Sequence, residues 1–472
     1  MRTKSRFLTL GVLFLSTGLA ACAMGPNYTR PQEPVPESYR MATAAKETQS
    51  IANLPWWELL RDEELQKMVR IALSENKDLK QAAAVVEEFQ ARVGVGEFAY
   101  APQLTVSANA PVGKLHAVNI PRTALATSYY VQGNLSWELD VWGRIRRSTE
   151  AARADLLAGE ENRRAVILEL VSSVAQAYFD LLQLDLQLEI TKSALQSWDE
   201  SLTIANARLR QGVTSRLDAD QFAAERANAA ARYEELTRAI AQKESELSVL
   251  LGRNPGQIPR GRSLLDQKIP LEVPAGLPSE LLERRPDILR SEQELAAATA
   301  RIGAAKAARF PTISLTSALG MASPQLSELG NGSFGSAGVG LIAPLINAQT
   351  FGFGQRIAEA QTRQTMAQYE KTIITAFKEV EDALIAVRTA QDETKAQEAQ
   401  VAALQSALNL AEIRYRGGIS NYLDVLTAKR NLFDAQLALT ATRRLHLVSV
   451  IQLYKALGGG WDSTMGTAAA QS

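Results

Sequence analysis

Side chains able to do chemistry are scarce in this chain. Its 472 residues hold two histidines, His116 and His446, and one cysteine, Cys22. A His/Cys metal centre or a histidine-based triad therefore has no inventory to draw on, and no metal site is expected. Carboxylates remain, and two of them recur in one setting. Asp218 stands in "RLRQGVTSRLDADQF" and Asp424 in "RYRGGISNYLDVLTAKR". Each follows an arginine, then a glycine (Gly212, Gly418), then a short polar turn. Those glycines suit the left-handed residue that ends a helix. Ser215 and Asn421, three residues before the aspartates, suit the polar cap of the next helix, with the acid at its third position. "GVG" at Gly94 to Gly96 falls inside a helical pattern, and "GGG" at Gly458 to Gly460 is followed by no Lys-Ser/Thr. Neither reads as a phosphate loop.

Lys plus Arg (51) equals Asp plus Glu (51), which gives a nucleic-acid partner no support. At the N-terminus Arg2, Lys4 and Arg6 precede an apolar run from Phe7 to Leu19, too short to span a bilayer and the right size for a secretory leader. The run ends in "LAAC", which resembles a bacterial lipobox: Cys22 becomes the lipidated first residue of the mature chain. By the same resemblance Ala23, which is not Asp, favours the outer membrane. An ordinary signal peptide cut nearby is the alternative. No further stretch approaches 18 apolar residues, so no transmembrane helix is expected in the mature chain, and an exported chain without a second cysteine folds without disulfides.

Two halves of the chain repeat. Residues 78–108 align with 287–317, so that Asp78/Asp287, Arg92/Arg301, Gly94/Gly303 and Pro102/Pro311 coincide; Arg208/Arg414, Gly212/Gly418 and Asp218/Asp424 follow. Ile167, Val174, Leu181, Leu188 and Leu195 recur every seven residues, as do Ile373, Val380 and Val387, then Val401 and Leu408. That is a heptad seam. A proline-free stretch near 144–211 predicts one helix on the order of 100 Å long, with shorter helices near 78–100 and 215–251. Between Pro102 and Asp140, and again after Pro311, the period becomes two: Leu104, Val106 and Ala108, then Val131, Leu135, Trp137 and Leu139, then Ile313 and Leu315, then Val339, Leu341 and Leu345. This predicts strands with one apolar and one polar face.

Four strands of about ten residues suit an outer membrane, yet four cannot close a barrel, and open edges are not tolerated in lipid. A membrane location therefore demands oligomerisation. Tyr129, Tyr130, Trp137, Trp142, Phe351 and Phe353 lie near the strand ends, where aromatic girdles are expected. A small soluble sandwich with the aromatics in its core is the alternative.

"LAAC", "WWELLRDEEL" (Trp56 to Leu65), "SWELDVWGRIRR" (Ser136 to Arg147), "GLPSELLERRPDI" (Gly276 to Ile288), "IGAAKAARFPTISL" (Ile302 to Leu315), "RYRGGISNYLDVL" and "LYKALGGGW" (Leu453 to Trp461) together resemble the lipoprotein outer-membrane factors of tripartite drug-efflux pumps. The resemblance covers nearly the whole mature chain. It implies an α+β fold: a trimeric 12-stranded outer-membrane β-barrel continued by a long α-helical coiled-coil periplasmic barrel, with two structural repeats per chain. The organisation expected is a leader (1–21); a lipid-anchored and equatorial segment (22–77); a first repeat (78–252, β-hairpin 102–140, tip 212–215); a linker (253–286); a second repeat (287–458, β-hairpin 311–347, tip 417–421); and a tail (459–472). The resemblance implies a homotrimer in outer-membrane lipid, a periplasmic adaptor and an inner-membrane transporter as partners, no enzyme activity, and no cofactor beyond the lipid on Cys22. It places Asp424, with Asp218, Tyr415 and Arg430, at the constriction of the tunnel mouth. Thr427 stands where some members carry a second acid, so a double acidic ring is not expected. A ring of three carboxylates would favour cations. Two alternatives are a channel for protein secretion and a poreless periplasmic coiled-coil lipoprotein.

Overall fold

The computed structural model describes residues 23–40, 50–110, 129–267, 276–343 and 348–459. Cys22, His116, Leu345 and the segments 1–21 and 460–472 lie outside them. The main elements are α1 (Glu63–Glu75), α2 (Lys77–Phe98), β1 (Gln103–Asn109), β2 (Tyr129–Leu139), α3 (Arg144–Arg210), α4 (Arg216–Leu250), α5 (Pro286–Ala307), β3 (Thr312–Ser323), β4 (Ser333–Ile342), α6 (Ala348–Arg416) and α7 (Tyr422–Ala456). Each half runs helix, two strands, one very long helix and one of 35 residues. At 67 and 69 residues, α3 and α6 span about 100 Å each.

Two compact units arise, and both draw on both repeats. One takes residues up to Gln32 with Ala84–Glu160 and Arg290–Glu370; the other takes Glu33–Ala83, Glu161–Leu289 and Lys371 onward. In the second unit the heptad positions are the core: Val174, Leu181, Ala376 and Val380 are fully buried. Leu65, Val69, Tyr178, Leu247, Leu251 and Ile451 join Val174 and Leu181 in one cluster. An 18-residue stretch of α3 is apolar enough to cross a membrane by composition, which the sequence reading did not anticipate. Its side chains at 170, 171, 174, 175, 178, 181 and 182 form this core instead. Arg285, 7% exposed, is held by Asp287 (2.6 and 2.9 Å), Glu379 (2.7 Å) and the Ala456 carbonyl (3.1 Å), so it locks the start of α5 to the end of α7.

In the first unit the strands form one antiparallel sheet in the order β1-β2-β3-β4. Register decides its character. Leu104 lies opposite Leu135, Trp137 opposite Leu315 and Leu315 opposite Val339, while Thr105 lies opposite Asn134 and Ser136 opposite Thr316. Directly opposed residues share a face, so one face is apolar on all four strands and the other is polar. The apolar face is bare: Leu104, Val106, Leu319, Val339 and Leu341 are 67–74% exposed. That excludes a sandwich whose core these residues fill. Trp142 departs from the girdle expected of it. Its ring stacks on Phe310 (4.8 Å) and its Nε1 donates to the Pro311 carbonyl (2.9 Å), so it pins the junction of helix and strand.

Candidate functional site at the helical hairpin tips

The two polar turns of the opening motif end the two helical hairpins, α3/α4 and α6/α7, and both lie in the second unit. Gly212 (φ +68°) and Gly418 (φ +72°) are left-handed. Val213 N–H bonds the Arg208 carbonyl and Gly212 N–H that of Leu209; Ile419 and Gly418 repeat the pattern on Arg414 and Tyr415. This double closure satisfies the last carbonyls of each long helix. At the start of α4 the cap is reciprocal. Ser215 Oγ accepts from Asp218 N–H (3.2 Å), and Asp218 Oδ2 accepts from Ser215 N–H (3.1 Å) and Thr214 Oγ1 (2.5 Å). These bonds, that from Thr214 first, hold the Asp218 carboxyl below the usual carboxylate range. At the start of α7 only half of the box forms: Asn421 Oδ1 accepts from Asp424 N–H (3.2 Å), and the Asp424 carboxylate stays exposed without a hydrogen bond among the described residues.

Above the turns the hairpins are stitched together. Arg208 of the first hairpin donates to the Tyr415 hydroxyl of the second, and its guanidinium lies 4.8 Å from the centre of the Tyr415 ring. Tyr422 OH donates to Gln221 Oε1. The Tyr422 ring packs on Phe222 (4.9 Å), which meets Trp198 (6.1 Å), and Ala205, Ala219, Ala229 and Leu426 complete the cluster. Lys429, whose side chain is 14% exposed, donates to Ser197 Oγ (2.9 Å) and Ser201 Oγ (3.0 Å) and lies 5.7 Å from the Trp198 ring.

Of the expected site residues, the structure joins Tyr415 and Asp218 to this network, since both flank Tyr422 and, after burial, help push its hydroxyl up. Asp424 and Arg430 are exposed and make no contact with it, and Arg430 makes no hydrogen bond or ion pair among the described residues. The partner of Tyr415 is Arg208, which sequence reasoning used only to align the repeats. Lys429 and Trp198 were missed altogether; the one available signal was a lysine on an otherwise apolar stripe between Leu426 and Leu432.

A bare apolar sheet face suits contact with lipid, and the comparisons with known proteins agree. The outer membrane efflux protein family model matches residues 68–253 and 277–459. The chain belongs to that family. This outer membrane efflux protein is 37% identical over 468 residues to a toluene efflux pump outer membrane protein, TtgC of Pseudomonas putida, covering 96% of each chain. It is 35% identical to the cation efflux system protein CusC of Escherichia coli, covering 95% of this chain and 98% of that one. The open state of the Neisseria gonorrhoeae MtrE outer membrane channel superposes with a TM-score of 0.83 at 31% identity, over 93% of this chain and 98% of that one. The efflux protein is thus a channel of the outer membrane that extends into the periplasm, and its family is one of transport.

Proposed function

We propose that this outer membrane efflux protein is the passive exit duct of a tripartite pump, assembled as a homotrimer anchored by a lipid on Cys22. A periplasmic adaptor and an inner-membrane transporter feed it drugs or other small toxic compounds and supply the energy. The open sheet carries this reading. β1 and β4 each pair on one side only, and an apolar sheet with two unpaired edges is stable in lipid only when copies close it. Three copies of a four-stranded sheet reach the size of a barrel with an aqueous lumen. The hairpin tips form the gate. The Arg208–Tyr415 link and the Tyr422–Gln221 bond hold the second hairpin against the first, and Asp424 and Asp218, three of each per trimer, set the charge of the mouth.

Single-channel recording in planar bilayers tests this. Wild type gives small cation-selective steps. Tyr415→Phe, which removes the acceptor of Arg208, raises the occupancy of a larger level, and the Asp218→Ala/Asp424→Ala double variant loses cation preference. Absence of any step from trimers shown to be inserted would instead support a poreless coiled-coil lipoprotein.

A further inference from the structure

The α7 stripe that faces the first hairpin runs Tyr422, Leu426, Lys429, Leu432, and every member but the lysine is a buried hydrophobe. Counting from Asp218 as from Asp424, the first hairpin has Ala223 at the corresponding place, so the lysine belongs to the second hairpin alone. Its ammonium is only partly compensated by charge. Two neutral hydroxyls, Ser197 and Ser201 on α3, accept its hydrogen bonds, and the one carboxylate it pairs with, Glu412 on α6, forms a long ion pair at 3.8 Å. Glu200 on α3 adds a weaker pull and Arg416 on α6 opposes it. Burial dominates and pushes the ammonium below its ordinary range. A lysine in a hydrophobic seam specifies register at a cost in stability, and a buried charge with incomplete partners is commonly worth less than a hydrophobe of its size.

We propose that Lys429 is a release residue, which keeps the contact between α7 and the long helix of the first hairpin weak enough to part when the tip opens. With the hairpins docked, the ammonium is partly desolvated between Trp198 and the two serines. When the hairpins separate it returns to water, and that hydration offsets part of the loss of the Phe222–Tyr422–Leu426 packing. The hairpins are thereby held together by packing and by the Arg208–Tyr415 link, against a partly buried charge that favours opening.

The inference rests on the tip being the gate, and the test separates the two claims. Channel recordings compare wild type and Tyr415→Phe, then add Lys429→Met, Lys429→Gln or Lys429→Arg to Tyr415→Phe, with the melting midpoint of each purified trimer. Lys429→Met is expected to reduce open-level occupancy about tenfold relative to its Tyr415→Phe parent, with an equal or higher melting midpoint. Lys429→Gln is expected to act in the same direction, and Lys429→Arg to keep the parent's occupancy. Unchanged or raised occupancy in Lys429→Met and Lys429→Gln would overturn the proposal and make the lysine an inert core residue or a latch. Loss of occupancy in Lys429→Arg as large as in Lys429→Met would overturn it too, because charge would not be the operative property. If Tyr415→Phe itself behaves as wild type, the tip is not the gate and both readings fall.

Discussion

Asp62 shows how one side chain can hold a junction. Its carboxylate, in a residue only 1% exposed, accepts from Glu64 N–H (3.0 Å), Leu65 N–H (3.2 Å), Tyr178 OH (3.2 Å), Arg262 N–H (2.9 Å) and Gln267 Nε2 (2.8 Å). It thus caps α1 and fastens the connection after α4 to the core of the second unit. Burial alone would raise its pKa, but these donors outweigh it and the carboxyl titrates below its ordinary value. A depressed folded-state pKa contributes stability above the unfolded value, near 4, that is lost as pH falls through the folded one. Thermal melting should therefore show a midpoint that drops below about pH 4 in wild type and drops less steeply there in Asp62→Asn, where Asp218 and the other depressed carboxylates still titrate. At pH 7 the variant should be less stable by about 2 kcal/mol, the scale of a hydrogen bond to a charged group. Residue-level legibility followed sequence distance. The caps of Ser215 and Asn421 act three residues away and were readable. Arg208 to Tyr415 and Lys429 to Ser197 join positions more than 200 apart, and nothing local marks such pairs before the hairpins are docked.

Helices and strands were largely readable because each is governed by a period. Alternation located the strands, the heptads located α3 and α6, and Gly212 and Gly418 marked the helix ends to within a residue or two. The distal part of the seam shows where periodicity stops informing: Val401, Leu404 and Leu408 are only half-buried in one chain, so their partner is not dictated by the repeat. The turns carry their own test. A Cβ at Gly418 would meet nothing, since no heavy atom beyond its chain neighbours lies within 4 Å. The cost of Gly418→Ala is therefore backbone strain, about 1 kcal/mol for a side chain held left-handed. Hydrogen exchange of the last-turn amides of α6 and of Ile419 should quicken about fivefold, with the interior of the helix unchanged. Gly212→Ala should do the same to the end of α3. Protection lost along the whole of α6 would show that the turn governs docking as well as helix termination.

At the scale of the whole molecule, the sequence period said that the strands have two unlike faces, and the register says which face has no cover. Val106 and Val339 stand on the apolar face, 74% and 73% exposed, on the two edge strands. Thr105, one residue from Val106, stands on the polar face opposite Asn134. A lysine facing hydrocarbon at the bilayer midplane costs about 2–4 kcal/mol, while one facing an aqueous lumen costs little. A Val106→Lys/Val339→Lys variant carries six such charges in a trimer. It should fail to enter the outer membrane and be recovered from the periplasm or from aggregates after a carbonate wash. Thr105→Lys should insert as wild type does and shift conductance away from cations, because three ammonium groups then face the lumen. The reverse outcome, in which Thr105→Lys blocks insertion and the double variant inserts, would mean that the polar face meets the lipid and that the barrel closes inside out relative to this reading. Closure itself was not written in any local pattern: it follows only when an apolar face, its missing cover and two unpaired edges are considered together.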